Sequence, residues 1–127
     1  MANLSIGSDL VDIRRFSYIL GLYGKHFLST IYTEYEKDRY KNKIDELAQV
    51  FAAKEAISKT LNVGLVYLSP DGIMPHDAEI RIHRNKPDIH LHGRAAELAQ
   101  SMCLKQWAIS LSCANNYAVA FVIATSG

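Results

Sequence analysis

The sequence has few cysteines and no long hydrophobic run. Its two cysteines, Cys103 and Cys113, match neither a zinc-binding nor a thioredoxin-type spacing, which favours free thiols in a reducing compartment. No charged-then-apolar leader occurs at the N-terminus, and no apolar run reaches the length of about 18 residues that a transmembrane helix needs. We therefore expect a cytoplasmic protein.

Strong charge and glycine-rich phosphate loops are also missing. The formal net charge of +1 gives the chain no overall electrostatic reason to bind nucleic acid or a membrane, so a charged partner must meet a local patch. What remains is the composition of an ordinary globule, with 49% hydrophobic and 21% charged residues and no repeat or linker. The sequence predicts a single domain over residues 1–127.

The first half of the chain predicts one strand followed by helices. The segment NLSIGSDLVDI alternates as a strand with one apolar face does, and Asp9 falls on the other face. Helical spacing then predicts a helix that Gly24 ends. TEYE has the spacing of a capping box, and Asn42 is a candidate cap for a helix from about Lys43 to Leu61.

The second half changes to strand periodicity. AEIRIHR and DIHLHG alternate on either side of NKP, which predicts a hairpin, and RAAELAQSMCL returns to helical spacing. QWAISLSC and YAVAFVIA predict two more strands joined at ANN, and the last is apolar enough for a strand covered on both faces. The predicted class is α+β, with three or four helices packed on a mainly antiparallel sheet.

Glu55 interrupts an apolar stripe on the long predicted helix. The stripe consists of Ile44, Leu47, Ala48 and Phe51. A buried ionised carboxylate is costly unless it is paired or bound to a metal. Lys59 lies one turn later and in the favourable order for an i, i+4 salt bridge with Glu55. The alternative is a metal-binding or catalytic carboxylate.

Asp9 adds a second carboxylate in an unfavourable place. Aspartate is depleted inside strands, so Asp9 either caps the following helix or serves a site. Magnesium usually takes one or two carboxylates and completes its shell with water and substrate phosphates. Asp9, Glu55 and the neighbouring Lys59 therefore form a candidate diphosphate site.

Two segments carry a resemblance to a known family. IGSDLVDIRRF is similar to the Gly-x-Asp motif, and FAAKEAISKTLNVG to the Phe-Ala-Ala-Lys-Glu-Ala-x-x-Lys motif, of holo-acyl-carrier-protein synthase, a small bacterial 4'-phosphopantetheinyl transferase. The resemblance covers most of the chain. It implies an enzyme of fatty acid biosynthesis that transfers the 4'-phosphopantetheine arm of coenzyme A to a serine of apo acyl carrier protein and releases adenosine 3',5'-bisphosphate.

The resemblance also implies roles for individual residues. Asp9 and Glu55 would hold Mg²⁺ against the coenzyme A diphosphate, and Glu55 would help to deprotonate the acceptor serine. The implied catalytic residues are Asp9, Glu55 and Lys59. The implied contacts with coenzyme A are Lys54, Lys59 and Ser112.

Partner surfaces are implied in the same way. Arg14 and Arg15, on the first helix, suit docking of an acidic helix of the acyl carrier protein. Family members are typically homotrimers with active sites between subunits, so the resemblance implies a homotrimer here.

Three positions depart from the family pattern. Val50 stands where an arginine commonly precedes Phe-Ala-Ala-Lys-Glu, Asn62 where glycine commonly follows the helix, and Cys113 where a histidine often follows the Ser-x-Ser strand. A non-catalytic module that binds coenzyme A or a carrier protein is therefore the alternative function. The retained carboxylates Asp9 and Glu55 favour the enzyme.

Other polar residues carry weaker signals. The histidines at positions 83, 90 and 92 alternate on one side of the predicted hairpin, which is more typical of a polar surface than of a transition-metal site. Ser110 and Ser112 lie in no nucleophile elbow, so we interpret them as strand residues lining a cleft.

Overall fold

The computed structural model describes residues 3–66 and 70–127. Within these ranges the elements are β1 (Leu4–Asp12), α1 (Ile13–Ile31), α2 (Glu34–Tyr40), α3 (Ile44–Thr60), a 3-10 turn (Pro75–Asp77), β2 (Ala78–His83), β3 (Lys86–Leu91), α4 (Gly93–Ser101), β4 (Gln106–Ala114) and β5 (Tyr117–Thr125). The three pairs of neighbouring strands are antiparallel. The predicted α+β class is confirmed.

The strands form two sheets. One has three strands in the order β1-β5-β4, and the other is the β2-β3 hairpin. The first and last strands of the described chain are therefore neighbours, and Asp9 lies opposite Ala120. This register places Asp9 on the face of the sheet that α3 covers, because its partner Ala120 is fully buried there.

Helix α3 is the centre of the core, as its apolar circumference predicts. Most of its residues are buried, and it packs on β1 and β5. Gly7 of β1 lies directly beneath it, where a Cβ would overlap the carbonyl oxygen of Ala56. Ser5 Oγ also donates a hydrogen bond to Thr60 O, at 2.6 Å. The close approach of β1 to α3 fixes Asp9, two residues after Gly7, against the helix that carries Glu55.

The predicted capping box is confirmed, whereas Gly24 interrupts the first helix without ending it. Gly24 has non-helical backbone angles (φ 49°, ψ −124°) and breaks α1, although helical structure resumes and continues to Ile31. At the start of α2, Thr33 and Glu36 form both hydrogen bonds of the capping box. Glycine at position 24 suits this backbone because it has no Cβ to clash at positive φ.

The predicted cap on α3 is wrong. Lys43, rather than Asn42, is the N-cap residue, and its side chain makes no capping hydrogen bond. At the other end Asn62 adopts the left-handed conformation, φ 63°, which asparagine tolerates better than most residues other than glycine. In the β2-β3 hairpin the turn falls on Arg84 and Asn85, both at positive φ, one residue earlier than NKP implies.

One face of the three-stranded sheet is left open by the residues that the structure describes. On β5 the alternate residues Ala118, Ala120, Val122 and Ala124 are buried, but their neighbours point away from α3. The expectation that β5 is covered on both faces is therefore wrong for a single chain. The exposed apolar residues, which we call the outer sheet face, are 41–64% exposed: Leu4, Ile6, Leu10, Tyr117 and Phe121.

The two thiols behave as predicted. Cys103 and Cys113 are free and exposed. Among the described residues, no helix combines the length and apolarity needed to cross a membrane.

Candidate active site

A cavity of about 500 Å³ opens between β1, α1 and α3. It brings together the two carboxylates and the lysine that the sequence singles out. Its polar lining residues are Asp9, Asp12, Arg15, Glu55 and Lys59. Its apolar lining residues are Leu10, Val11, Phe16, Ile19, Phe27, Phe51 and Tyr117.

Asp9 and Lys59 contact each other across the boundary between β1 and α3. Lys59 Nζ lies 3.1 Å from Asp9 Oδ1 and donates a second hydrogen bond to the backbone oxygen of Ser8, at 3.0 Å. The Asp9 side chain is 18% exposed and the Lys59 side chain 52%. The lysine side chain is thus half exposed to solvent, whereas the aspartate side chain is largely buried.

Glu55 lies one helical turn before Lys59 on the same side of α3. It is only 9% exposed, and it lines the cavity together with Asp9. The two carboxylates converge because Gly7 lets β1 approach α3 so closely. The lysine one turn after Glu55 is anchored on Asp9, so the strand carboxylate has a cationic partner from the helix.

An aromatic wall closes one side of the cavity. The rings of Phe16, Phe27 and Phe51 lie with centroids 5.7–6.0 Å apart. An apolar wall lowers the local dielectric constant and strengthens the interactions of neighbouring charges. Phe16 and Phe51 were visible in the sequence as apolar helix positions, but Phe27 lies beyond the Gly24 break, and no pattern placed it here.

The arginine pair lies at the start of α1. Both side chains are exposed, and the Asp12 carboxylate caps the helix by accepting hydrogen bonds from the backbone N–H groups of Arg14 and Arg15, at 3.0 and 3.2 Å. Arg15 lines the cavity. The helix also exposes Tyr18 and Leu22, which the sequence analysis did not assign to any surface.

Lys54 is not brought to this cavity. Its side chain is fully buried and donates to Glu36 Oε1, Pro75 O and Ala78 O at 2.8–2.9 Å. Burial lowers the pKa of Lys54, and the Glu36 carboxylate opposes this shift. An ammonium has three protons to donate, and these partners occupy them. The assignment of Lys54 as a coenzyme A contact is corrected for this reason.

Ser112 also lies apart from the cavity. It is on β4 opposite Val119 and is exposed on the side of the sheet that faces away from α3. Its position is open to a second molecule rather than to the cavity of its own chain. Contact between Ser112 and coenzyme A stays a prediction.

Cys113, one of the departures from the family pattern, contacts the N-terminal half of α3, which carries another, Val50. Val50 is buried, and the residue before it, Gln49, donates from Nε2 to the sulfur of Cys113 at 2.8 Å. The N-terminal half of α3 and the end of β4 therefore meet through a neutral pair. At Cys113 the contact is thus made by an uncharged thiol, at the position where the resemblance implies a histidine.

The donor set at the cavity fits a hard dication with few protein ligands. Within residues 3–66 and 70–127, no group of three or more His, Cys, Asp or Glu side chains is arranged to hold a metal ion. Asp9 and Glu55 offer two carboxylates beside an open cavity, which suits a cation that completes its shell with water and phosphate oxygens. On the hairpin, His90 contacts Asp88 and His92 contacts Glu79.

Comparison with known proteins identifies the class. The model of the 4'-phosphopantetheinyl transferase superfamily matches residues 5–122, and the chain belongs to this superfamily. Its curated relatives include holo-[acyl-carrier-protein] synthases. That of Hydrogenovibrio crunogenus is 38% identical over 127 residues, covering 97% of both chains, and that of Herpetosiphon aurantiacus is 33% identical over 123 residues, covering 94% of this chain and 97% of the relative.

Solved structures agree with this assignment. The chain is similar to Helicobacter pylori holo-[acyl-carrier-protein] synthase in complex with coenzyme A, with a TM-score of 0.81 and 28% identity over 94% of this chain and 98% of that one. It shares its fold with holo-ACP-synthase from Plasmodium yoelii (TM-score 0.81, 24% identity, 100% and 98% covered). The predicted family, fold and enzyme class are confirmed: the chain is a phosphopantetheinyl transferase.

Proposed function

We propose that the cavity between β1, α1 and α3 is the site at which the chain moves the 4'-phosphopantetheine arm of coenzyme A to a serine of apo acyl carrier protein. The other product is adenosine 3',5'-bisphosphate. The observation that carries the proposal is that Asp9, Glu55 and Lys59 line one cavity of about 500 Å³, together with apolar side chains. Two carboxylates can bind a metal ion that accompanies a diphosphate, and the neighbouring lysine can pair with the phosphate oxygens.

Asp9 and Glu55 are the residues that would hold Mg²⁺. The cation would neutralise the charge that develops on the diphosphate oxygens when the bond to the transferred phosphorus breaks. Both carboxylates are largely removed from solvent, at 18% exposure for the Asp9 side chain and 9% for Glu55. Electrostatic interactions in such a place are stronger than at the surface.

The chain's own residues would position the reactants and move the proton. Lys59, on a flexible and half-exposed side chain, would bind the phosphates. Glu55 would accept the proton of the serine hydroxyl as the serine oxygen attacks phosphorus. The aromatic wall of Phe16, Phe27 and Phe51 would keep water, a competing nucleophile, away from this side of the cavity.

The carrier protein would dock on α1. Arg14 and Arg15 are exposed at its N-terminal end, and Arg15 reaches the cavity. Positive charge at this place attracts an acidic helix even though the net charge of the whole chain is only +1. Tyr18 and Leu22, exposed on the same helix, provide apolar contact area.

A homotrimer is also part of the proposal. The outer sheet face is an apolar surface on a strand, β5, whose sequence is that of a strand covered on both sides. Ser112 lies on that side of the sheet, so a neighbouring chain would bring Ser112 towards a cavity other than its own. The cytoplasmic location and the single domain over residues 1–127 stay predictions.

A non-catalytic module that binds coenzyme A is the second candidate. Val50 and Cys113 favour it, because uncharged side chains stand where the family pattern commonly has an arginine and often a histidine. Thermal stability with coenzyme A separates the two: a transferase needs Mg²⁺ for most of the ligand-induced shift, whereas a metal-independent shift favours the module.

The direct test is intact-mass analysis of apo acyl carrier protein incubated with the chain, coenzyme A and Mg²⁺. We expect a gain of one phosphopantetheine arm that is lost with a chelator, with Asp9→Ala and with Glu55→Gln. A gain that survives the chelator contradicts the role of the metal. No gain from several carrier proteins, despite measurable binding of coenzyme A, moves the assignment to the module.

A further inference from the structure

Lys59 makes two contacts that matter for how a cation reaches Asp9. Its ammonium lies 3.1 Å from Asp9 Oδ1 and 3.0 Å from the backbone oxygen of Ser8. Both acceptors belong to β1, while Lys59 belongs to the last turn of α3. A positive charge from the helix therefore already sits on the carboxylate that is proposed to bind the metal.

A dication cannot share this position with the ammonium without a cost. Two cations a few ångströms apart repel each other, and beside a largely buried carboxylate they are screened less than in bulk water. The metal must either displace Lys59 or bind beside it with reduced affinity. The Asp9–Lys59 pair thus opposes metal binding at the carboxylate.

The same lysine is easily removed by an anion. Its side chain is 52% exposed and has a long flexible stem, so the ammonium can turn towards an incoming anion while the carboxylate stays in place. A diphosphate that enters the cavity offers the ammonium several oxygens, and as a group it carries more negative charge than one carboxylate does. Once Lys59 turns to the phosphates, Asp9 Oδ1 is open to the metal.

We propose that Lys59 couples the two ligands: it occupies Asp9 until the diphosphate of coenzyme A draws it away, so that the chain binds its dication tightly only together with coenzyme A. This inference rests on the proposed metal site at Asp9 and Glu55. It assigns to Lys59 a second role, in addition to phosphate binding. By linkage, coenzyme A and the metal raise each other's affinity by the same factor.

The test measures binding rather than turnover. Mn²⁺ serves as the probe, and electron paramagnetic resonance of the free ion gives its affinity for the full chain with and without coenzyme A, corrected for Mn²⁺ bound by coenzyme A alone. For the wild type we expect binding at least about tenfold tighter with coenzyme A than without it. In Lys59→Met, binding without coenzyme A should become about fivefold tighter, and the enhancement by coenzyme A should shrink.

Two further variants serve as controls. Lys37→Met removes the same charge from a surface pair with Glu34 on α2, and it should leave Mn²⁺ affinity within about twofold of the wild type. Lys59→Arg keeps the charge and should keep weak binding in the absence of coenzyme A.

The outcomes separate the inference from the metal site itself. If the wild type with coenzyme A binds no Mn²⁺ beyond that bound by coenzyme A, the metal site fails and the coupling fails with it. If the wild type binds Mn²⁺ but Lys59→Met changes its affinity no more than Lys37→Met does, the metal site stands and the coupling is refuted. Circular dichroism of each variant confirms that the comparison is between folded proteins.

Discussion

Lys54 and Glu55 are neighbours on α3 with opposite surroundings. Glu55 lines an open cavity, whereas Lys54 is enclosed with the Glu36 carboxylate and two backbone carbonyl groups. Glu36 accepts further hydrogen bonds from the backbone N–H groups of Thr33 and Ile80. The ion pair therefore links α3 to the start of α2 and to β2, and every charge in it depends on a buried partner.

Removal of the lysine should destabilise the fold and leave the ligand site intact. Lys54→Met leaves Glu36 as a buried charge without its cation, so we expect the free energy of unfolding to fall by about 3 kcal/mol. Urea unfolding measures this loss. Calorimetry at low temperature, in buffer without denaturant, measures the coenzyme A affinity of the folded variant. This affinity should stay within about twofold of the wild type because Lys54 does not reach the cavity.

The surface pair again provides the comparison. Lys37→Met breaks the Lys37–Glu34 pair, in which Glu34 is exposed, and should change the free energy of unfolding by less than about 1 kcal/mol. A Lys54→Met protein of normal stability that binds coenzyme A weakly would contradict the structural role and return Lys54 to the ligand site.

The structure brings together two residues that break their local pattern in the sequence, while their roles stay predictions. Asp9 inside a strand and Glu55 inside an apolar stripe violate local preference, and both line the cavity. Lys54 was misassigned because a step of one residue turns a helix by about 100°. Lys54 faces Glu36 and Glu55 faces the cavity because of where α2 and β1 pack against α3. The spacing of residues within α3 does not contain this information.

At the scale of elements, the contact between β1 and α3 sets the geometry of the site. Gly7 is the point of closest approach, because a Cβ there would overlap Ala56 O and crowd Thr60 Oγ1. The strand carries Asp9 and the helix carries Glu55, so any separation of the two elements also separates the carboxylates. Glycine in the sequence IGSD is thus explained by packing.

Gly7→Ala should damage both stability and transfer. The added methyl group must push β1 away from α3, and overpacking of this kind typically costs about 1–3 kcal/mol. Gly21→Ala is the matched control: nothing lies within 4 Å of its Cβ position on α1, and alanine in a helix is favoured over glycine by about 0.5–1 kcal/mol. Thermal unfolding should show a lower stability for Gly7→Ala and a higher one for Gly21→Ala than for the wild type. The transfer assay should show lower activity for Gly7→Ala. Equal stabilities of the two variants would refute the packing argument.

Glu79 ties the hairpin to two helices. Its nearly buried carboxylate accepts hydrogen bonds from Thr33 at the start of α2, from Arg81 on its own strand and from His92 before α4. Burial alone would raise the pKa of Glu79, but these three hydrogen bonds together outweigh it and lower the pKa from 4.5 to about 2. The ionised form of Glu79 therefore stabilises the junction.

The lowered pKa predicts a pH dependence of stability. A carboxylate with a depressed pKa in the folded state stabilises the protein fully above pH 4.5, and this contribution is lost as the pH falls towards 2. Glu79→Gln should therefore lower the free energy of unfolding by up to about 3 kcal/mol at pH 6 and by clearly less at pH 3. Urea unfolding at the two pH values checks this, and an equal loss at both would show that the charge of Glu79 contributes nothing.

Prediction of the elements depended on whether their signals were local. The capping box of α2 and the break at Gly24 need only neighbouring residues, and both were found from the sequence. The start of α3 has no side-chain cap at all, so Asn42 was a reasonable but wrong choice. The division of the strands into two sheets depends on contacts between segments that are distant in the sequence. Hydrophobic periodicity within a segment does not predict such contacts.

At the scale of the whole molecule, the outer sheet face is the surface that the proposed homotrimer would cover. A single chain leaves Ile6, Leu10 and Phe121 about half exposed, side by side on β1 and β5. Apolar residues exposed together on a sheet usually mark an interface. The apolar run of β5 led to the expectation of a strand covered on both faces, but a pattern within one strand does not say whether the cover comes from the same chain or from another.

A charge on this face should separate the subunits. Light scattering should give three times the mass of the chain for the wild type and the mass of one chain for Phe121→Lys, because a buried lysine without a partner is costly in an apolar interface. Transfer activity should fall with the trimer. Tyr18→Ser, which removes an exposed apolar side chain from α1 instead, should leave the mass unchanged. A monomeric wild type, or a trimeric Phe121→Lys, would overturn the assembly.

The strand order has a consequence for synthesis of the chain. β5 lies between β1 and β4, so residues 4–12 find their partners only in residues 117–125. Pairing across so long a stretch of sequence is slow compared with the formation of helices. On the ribosome, β1 must wait until nearly all of the described chain has been made. Asp9 gains its fixed place only at that moment, and the nascent chain therefore has no working site before it has folded as a whole.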